Sequence, residues 1–207
     1  MTAKSTRDKI MKKLLMGLIG AAFFALPALA LDAGDMAPQF ELRASLDGQE
    51  FDFSLSSALA DGPVVVYFYP SAYTQGCNIQ AHEFSVNMDA FEAAGASVIG
   101  VSLDSIERLN DFSADPDYCA GNLAVASDES GDVARSFGVS VSDGPPGGFA
   151  DTRGVTIEHG FADRMTYIVT ADGRIAETFG GRAVTPFDNV QMSLAAVQRI
   201  AGAPSAL

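Results

Sequence analysis

Beyond residue 30 the chain alternates short apolar runs with amphipathic stretches, and the two periods predict its elements. VVVYFY at 64–69 is a continuous apolar run, the pattern of a central strand covered on both faces. Residues 40–53 read as a hairpin around an Asp47-Gly48 turn. Phe84, Met88 and Phe91 fall at i, i+4 and i+7, one apolar stripe on a helix over 77–93. Strands are predicted at 98–103 and 123–126, and helices at 106–112 and 133–137. Residues 140–160 hold Pro145-Pro146-Gly147-Gly148 and no period, so they read as a long loop. A strand at 165–169, a turn at Ala171-Asp172-Gly173 and a strand at 175–179 follow. Phe187, Val190, Leu194 and Val197 mark one face of a C-terminal helix. This order predicts an α/β domain: a central mixed sheet with helices on both faces and an N-terminal β-hairpin.

The first thirty residues differ. Lys4, Arg7, Lys9, Lys12 and Lys13, opposed only by Asp8, precede an uncharged run from Leu14 to Ala30 that closes on Ala28-Leu29-Ala30. A basic head, an apolar middle and an A-x-A site mark a secretory signal peptide at 1–30. The competing reading is a permanent anchor. Its 17 residues stand at the bottom of the spanning range, and Gly17, Gly20 and Pro27 weaken the helix. Residues 31–207 then form one exported domain, periplasmic in a cell with an outer membrane, without a membrane anchor once the signal is cleaved.

Composition excludes several functions. With 48% hydrophobic and 19% charged residues the chain can build a core. The net charge is -13, and it becomes -17 without the signal, which holds every Lys. Such a polyanion is repelled by phosphate backbones, which sets nucleic-acid binding aside. Two Cys and two His are too few for an Fe–S cluster or a four-Cys zinc site from one chain.

The candidate chemistry lies at one strand-to-helix junction, YFYPSAYTQGCNIQAH at 67–82. A thiol at the start of a helix faces unpaired N–H groups and the positive end of the dipole. Both favour the thiolate, the nucleophilic form. Thr74 suits the helix N-cap, or can aim its hydroxyl at whatever Cys77 attacks, and Pro70 ends the strand without offering a competing N–H. Singly, each has a plain structural reading: free Cys is often buried, Thr caps helices, and Pro ends strands.

Together, Pro70-x3-Thr74-x2-Cys77 resembles the active-site signature of the peroxiredoxins, in particular the bacterioferritin-comigratory-protein (Q-type) branch of the AhpC/TSA group. Gly34-Asp35-x-Ala37-Pro38-x-Phe40, the segment from Ser127-Asp128 to Phe137-Gly138-Val139, and Arg164-x-Thr166-Tyr-Ile-Val resemble its flanking segments in order. The resemblance implies a thioredoxin-like fold and a thiol-dependent peroxidase acting on hydrogen peroxide or organic hydroperoxides, with no cofactor and no metal. It further implies that Cys77 is the peroxidatic nucleophile and that Arg164 completes the site. Thr74, the Cys77 N–H and Arg164 are donors suited to charge developing on a departing oxygen.

Regeneration is open at this point. Some members of the branch carry a second Cys five residues after the nucleophile, where this chain has His82. Other members place one in the neighbourhood of Cys119. Cys119 is thus a resolving thiol, half of a permanent bridge, or an inert buried thiol. In the last case a thioredoxin-like protein or a small thiol would reduce Cys77 directly, in a monomer or a dimer. His82 reads as a helix-surface residue and His159 as a surface residue of the long loop. No ligand spacing recommends a metal site from Cys77, His82 and Cys119. Two other functions compete. A thioredoxin-type oxidoreductase lacks its C-x-x-C, since Asn78, Ile79 and Gln80 follow Cys77. A silent binding domain would not need Pro70, Thr74, Cys77 and Arg164 intact.

Overall fold

The computed structural model of the chain describes residues 31–181 and 183–202, so the expected signal at 1–30 lies outside the described residues. Five strands open the fold: β1 (Glu41–Leu46), β2 (Gln49–Ser54), β3 (Val64–Phe68), β4 (Ser97–Ser102) and β5 (Ala124–Ser127). Between them run α1 (Leu55–Asp61), α2 (Gln75–Val86), α3 (Met88–Ala93) and α4 (Ile106–Ala114), and α5 (Asp132–Ser136) follows. Four two-residue strands, β6 (Val141–Ser142), β7 (Phe149–Ala150), β8 (Thr156–Ile157) and β9 (Phe161–Ala162), lie in the segment expected as a loop. The chain closes with β10 (Met165–Val169), β11 (Ile175–Gly180) and α6 (Pro186–Gly202).

The main sheet has seven strands in the order β11-β10-β3-β4-β5-β1-β2. The β3–β4 and β4–β5 pairs are parallel and the rest antiparallel. This is the expected mixed α/β sheet. Because side chains alternate across a strand, β3 feeds two cores. Val65 and Tyr67 face one with Phe84, Phe112, Ile168 and Val190. Val64, Val66 and Phe68 face the other with Leu55, Ile99, Phe137 and Tyr167. All five residues of β3 are buried, as its unbroken apolar run requires. The first hairpin turns at Asp47 (φ 50°) and Gly48 (φ 71°), the two successive positive φ values of a hairpin turn whose twist matches its strands.

Four expectations need correction. The helix expected over 77–93 is two helices, broken at Asn87, whose side-chain amide donates to the Glu83 carbonyl at 2.7 Å. A short polar side chain that bonds its own backbone competes with the helix ladder there. Helix α1 was absent from the pattern because only Leu55 and Leu59 of its seven residues are buried. Residues 140–160 are not featureless: β6 pairs with β9 and β7 with β8. Phe187 does not belong to the buried face of α6; it is 49% exposed, and Asn189, Val190, Ser193, Ala196 and Val197 are buried instead.

Candidate active site

The topology brings the expected residues together. β10 runs antiparallel to β3 with Met165 opposite Phe68, so Arg164, one residue earlier, arrives beside the end of β3 where the Cys77 loop begins. Thr166 pairs with Tyr67, and Arg164, two residues before it, shares its face of the sheet, the face that carries α2 and α6. Pro70 lies two residues past the end of β3, after Tyr69, and is half-buried. Cys77 is the third residue of α2, ahead of the first i→i−4 bond of the helix, from the Asn78 N–H to the Thr74 carbonyl at 2.8 Å. It is a free thiol, 2% exposed. Nη2 of Arg164 donates to Cys77 Sγ at 3.3 Å. Gly76 makes room for this approach, since a Cβ there would stand 3.2 Å from Arg164 Nη2.

Thr74 occupies the N-cap position in extended conformation, but its side chain does not cap α2. The hydroxyl donates to the Ser71 carbonyl at 2.9 Å, which fixes the side chain within the loop.

Arg164 is held from behind by a relay absent from the sequence expectations. Its Nη1 donates to Gln80 Oε1. Gln80 Nε2 donates to Asn189 Oδ1 at 2.9 Å, and Thr166 donates to the same oxygen at 2.8 Å. Asn189 Nδ2 in turn donates to the Phe179 carbonyl at 3.3 Å. A guanidinium can only donate, so each amide orientation follows from the one before it. Gln80 lies three residues beyond Cys77, one helical turn away on the same face. That spacing was the available signal for it.

A second cluster braces the loop from the other side. The fully buried Asp104 carboxylate accepts from Ser71 Oγ (2.6 Å), the Ala72 N–H (2.8 Å), Ser102 Oγ (2.7 Å), Arg108 Nε (2.9 Å) and His159 Nε2 (2.9 Å). Burial raises the Asp104 pKa, but the bonds from His159, Ser71, Ala72 and Ser102 outweigh burial and hold it below the ordinary carboxylate range. His159 is therefore not the free surface residue expected. Its Nδ1 faces the Gly160 carbonyl at 2.7 Å while Nε2 faces Asp104, two acceptors that together select the doubly protonated ring. Burial lowers the ring's pKa, and the Asp104 bond and Gly160 carbonyl more than reverse this. His82 is exposed on α2 while both thiols are buried, so the three do not gather into a metal site.

Cys119 is a free thiol with no exposure, in the same core as Cys77. Burial pushes its pKa well up, and nearby Asp115 adds to this, so it stays a thiol in the folded state. Its carbonyl accepts from Ser85 Oγ at 2.8 Å, which places it beside the second half of α2. Ser85 is eight residues beyond Cys77, about 12 Å along a helix. A cavity of about 500 Å³ also touches Arg164, but Met165, Tyr167 and Val139 line it from the opposite face of the sheet, and Cys77 is not part of its lining.

Residues 33–178 match the model of the AhpC/TSA family. The chain is 35% identical over 149 residues to Peroxiredoxin Bcp of Escherichia coli, an alignment covering 72% of this chain and 85% of that one. The chain belongs to the AhpC/TSA family and is a thiol-dependent peroxidase. Among solved structures, peroxidoxin BcpB of Mycobacterium tuberculosis superposes with a TM-score of 0.67 at 25% identity, covering 82% of this chain and 98% of that one. Xanthomonas campestris Peroxiredoxin Q does so with a TM-score of 0.60 at 25% identity, covering 77% and 91%. The fold of these peroxiredoxins is the thioredoxin-like one, and the seven-stranded sheet with its flanking helices follows it.

Proposed function

We propose that Cys77 is the peroxidatic thiol, acting on hydrogen peroxide and small organic hydroperoxides. The observation that carries this is the 3.3 Å bond from Arg164 to Cys77 Sγ at the free end of α2. In the reaction the Cys77 thiolate attacks one peroxide oxygen, an S–O bond forms and the O–O bond breaks. The other oxygen leaves with the bonding pair and takes up a proton from water, giving Cys77 sulfenic acid and an alcohol or water. Arg164 sets its guanidinium charge beside both the sulfur and the departing oxygen. Thr74 and Pro70 shape the loop that holds Cys77. A neutral peroxide is indifferent to a strongly anionic surface.

A thiol then attacks the sulfenic sulfur, releasing water and leaving a disulfide that an external dithiol reduces. We assign the attacking thiol to Cys119, with a thioredoxin-like or small-thiol reductant completing the cycle. Its place beside Ser85 requires the first turns of α2, or the turn holding Cys119, to open before the two sulfurs meet, since bridged Cys residues have Cα atoms within about 7 Å. The basic, apolar and A-x-A pattern at 1–30 supports export, and hence a periplasmic site of action.

The test is mass spectrometry of reduced protein treated with one equivalent of peroxide and a sulfenate trap. The label is expected on Cys77 and absent in Cys77→Ser. A wild-type protein left unlabelled and still reduced would overturn the reading.

A further inference from the structure

Tyr73 lies four residues before Cys77 and is the natural i−4 acceptor for the Cys77 N–H, were α2 to begin one residue earlier. It does not serve. Tyr73 has φ 59°, the left-handed region, which a buried aromatic residue adopts only where its surroundings impose it. The surroundings that impose it come from the long loop. Thr152 donates twice to the Tyr73 carbonyl, from its N–H at 2.9 Å and from Oγ1 at 2.8 Å. A carbonyl has two lone pairs, so both are spent. Thr152 Oγ1 also accepts from Asn78 Nδ2 at 3.3 Å, which ties the residue after the nucleophile to the same point.

The clamp is itself anchored. Asp151, one residue before Thr152, is buried and accepts from Arg108 at 2.8 Å and Arg153 at 3.1 Å. The Arg153 guanidinium lies 3.2 Å above the centre of the Tyr73 ring, and Arg108 donates to the Ala72 carbonyl at 2.8 Å. Thr152 itself is exposed, and its hydroxyl bonds the Tyr73 carbonyl and the Asn78 amide.

We propose that Thr152 is a positioning residue for the nucleophile: by filling the Tyr73 carbonyl it keeps the Cys77 N–H unspent and directed at the oxygen that Cys77 attacks. The inference rests on the peroxidatic reading of Cys77. Without the Thr152 hydroxyl one lone pair of Tyr73 is released, and the Cys77 N–H can turn back to it, extending α2 and withdrawing a donor from the developing charge. The 140–160 segment, through Thr152, in this way acts on the reaction through one backbone carbonyl.

The experiment compares Thr152→Val and Thr152→Ser with the wild type in the reduced full chain. Three quantities are read: the second-order rate of Cys77 oxidation by hydrogen peroxide, the rate of Cys77 alkylation by iodoacetamide, and amide exchange at Cys77 by NMR. Thr152→Val is expected to lose roughly five- to tenfold in peroxide rate, the worth of one hydrogen bond. Its alkylation rate should stay within about twofold, because alkylation expels no oxygen that needs the donor. Thr152→Ser keeps the hydroxyl and should restore the peroxide rate. The Cys77 amide should exchange freely in the wild type and become protected in Thr152→Val. An unchanged peroxide rate in Thr152→Val, a Ser variant as slow as the Val variant, or a parallel fall in both rates would overturn the role of Thr152. So would a Cys77 amide already protected in the wild type, a readout that needs no peroxide chemistry. A wild type inert to peroxide but with a freely exchanging Cys77 amide would instead sink the peroxidatic reading and, with it, this inference.

Discussion

Gln80 receives the Arg164 guanidinium through a neutral amide oxygen; Gln80 is fully buried and Arg164 is half-buried. A carboxylate at this position would neutralise the cation. An amide orients it and leaves its full charge beside the Cys77 sulfur. The amide can do this because Asn189, from α6, accepts its other end at 2.9 Å.

Gln80→Glu keeps the shape and removes the neutrality. The peroxide rate of Cys77 is expected to fall by about tenfold near neutral pH, one pKa unit's worth of differential interaction. Gln80→Met, which cannot accept strongly but adds no charge, should lose less. Stopped-flow competition with a peroxide-reactive dye measures both.

Arg164→Met removes the donor aimed at the Cys77 sulfur. Peroxide consumption is expected to drop on the order of a hundredfold, the scale for losing one transition-state donor. Alkylation by iodoacetamide should drop less, and equal losses in both assays would assign Arg164 to general support of the thiol.

Cys119→Ser keeps the buried volume nearly constant and removes the second sulfur. In that variant the Cys77 sulfenate is expected to persist from one turnover to the next and to advance to sulfinic acid at high peroxide. Intact-mass spectra report this as additions of one and then two oxygens. Normal turnover of the variant with a dithiol reductant would show that Cys119 does not resolve the intermediate.

The His159–Asp104 pair gives stability a defined pH window. The ring's folded pKa is raised above its ordinary 6.5, so its contribution is fully present below about that pH and is lost as pH rises through the folded value. The Asp104 carboxyl is lowered from 3.8, so its contribution is present above that pH and is lost as pH falls through the folded value. The pair contributes most between the two. The urea midpoint should be higher at pH 5.5 than at pH 8.5, and the difference should shrink in His159→Gln. An undiminished difference in the variant would assign the pH dependence to other groups.

Gly100→Ala tests the packing behind the active site. A Cβ at position 100 would stand 2.5 Å from the Tyr67 hydroxyl and 2.6 Å from its ring. Tyr67 cannot retreat, because Phe84 stacks on it with centroids 4.5 Å apart. Overpacking of this kind costs about 1–3 kcal/mol, which a urea titration at constant m-value resolves.

The sequence by itself determined the seven strands of the main sheet, the two hairpins and the Pro70, Thr74 and Cys77 cluster. Apolar runs and Asp-Gly turns are local signals, and a buried strand or a tight hairpin leaves its mark within a few residues. The Pro70, Thr74 and Cys77 spacing lies within one strand–loop–helix unit and was legible for the same reason. Only the tertiary structure decided what surrounds the sulfur. Gln80, Asn189, Asp104 and Thr152 act through partners as distant in sequence as 109 residues, the Gln80–Asn189 separation. The aperiodic 140–160 segment looked structureless because its order comes from ion pairs and single hydrogen bonds to other elements. Hydrophobic period records which face of an element is buried, and it carries no trace of where a lone polar side chain will find its acceptor.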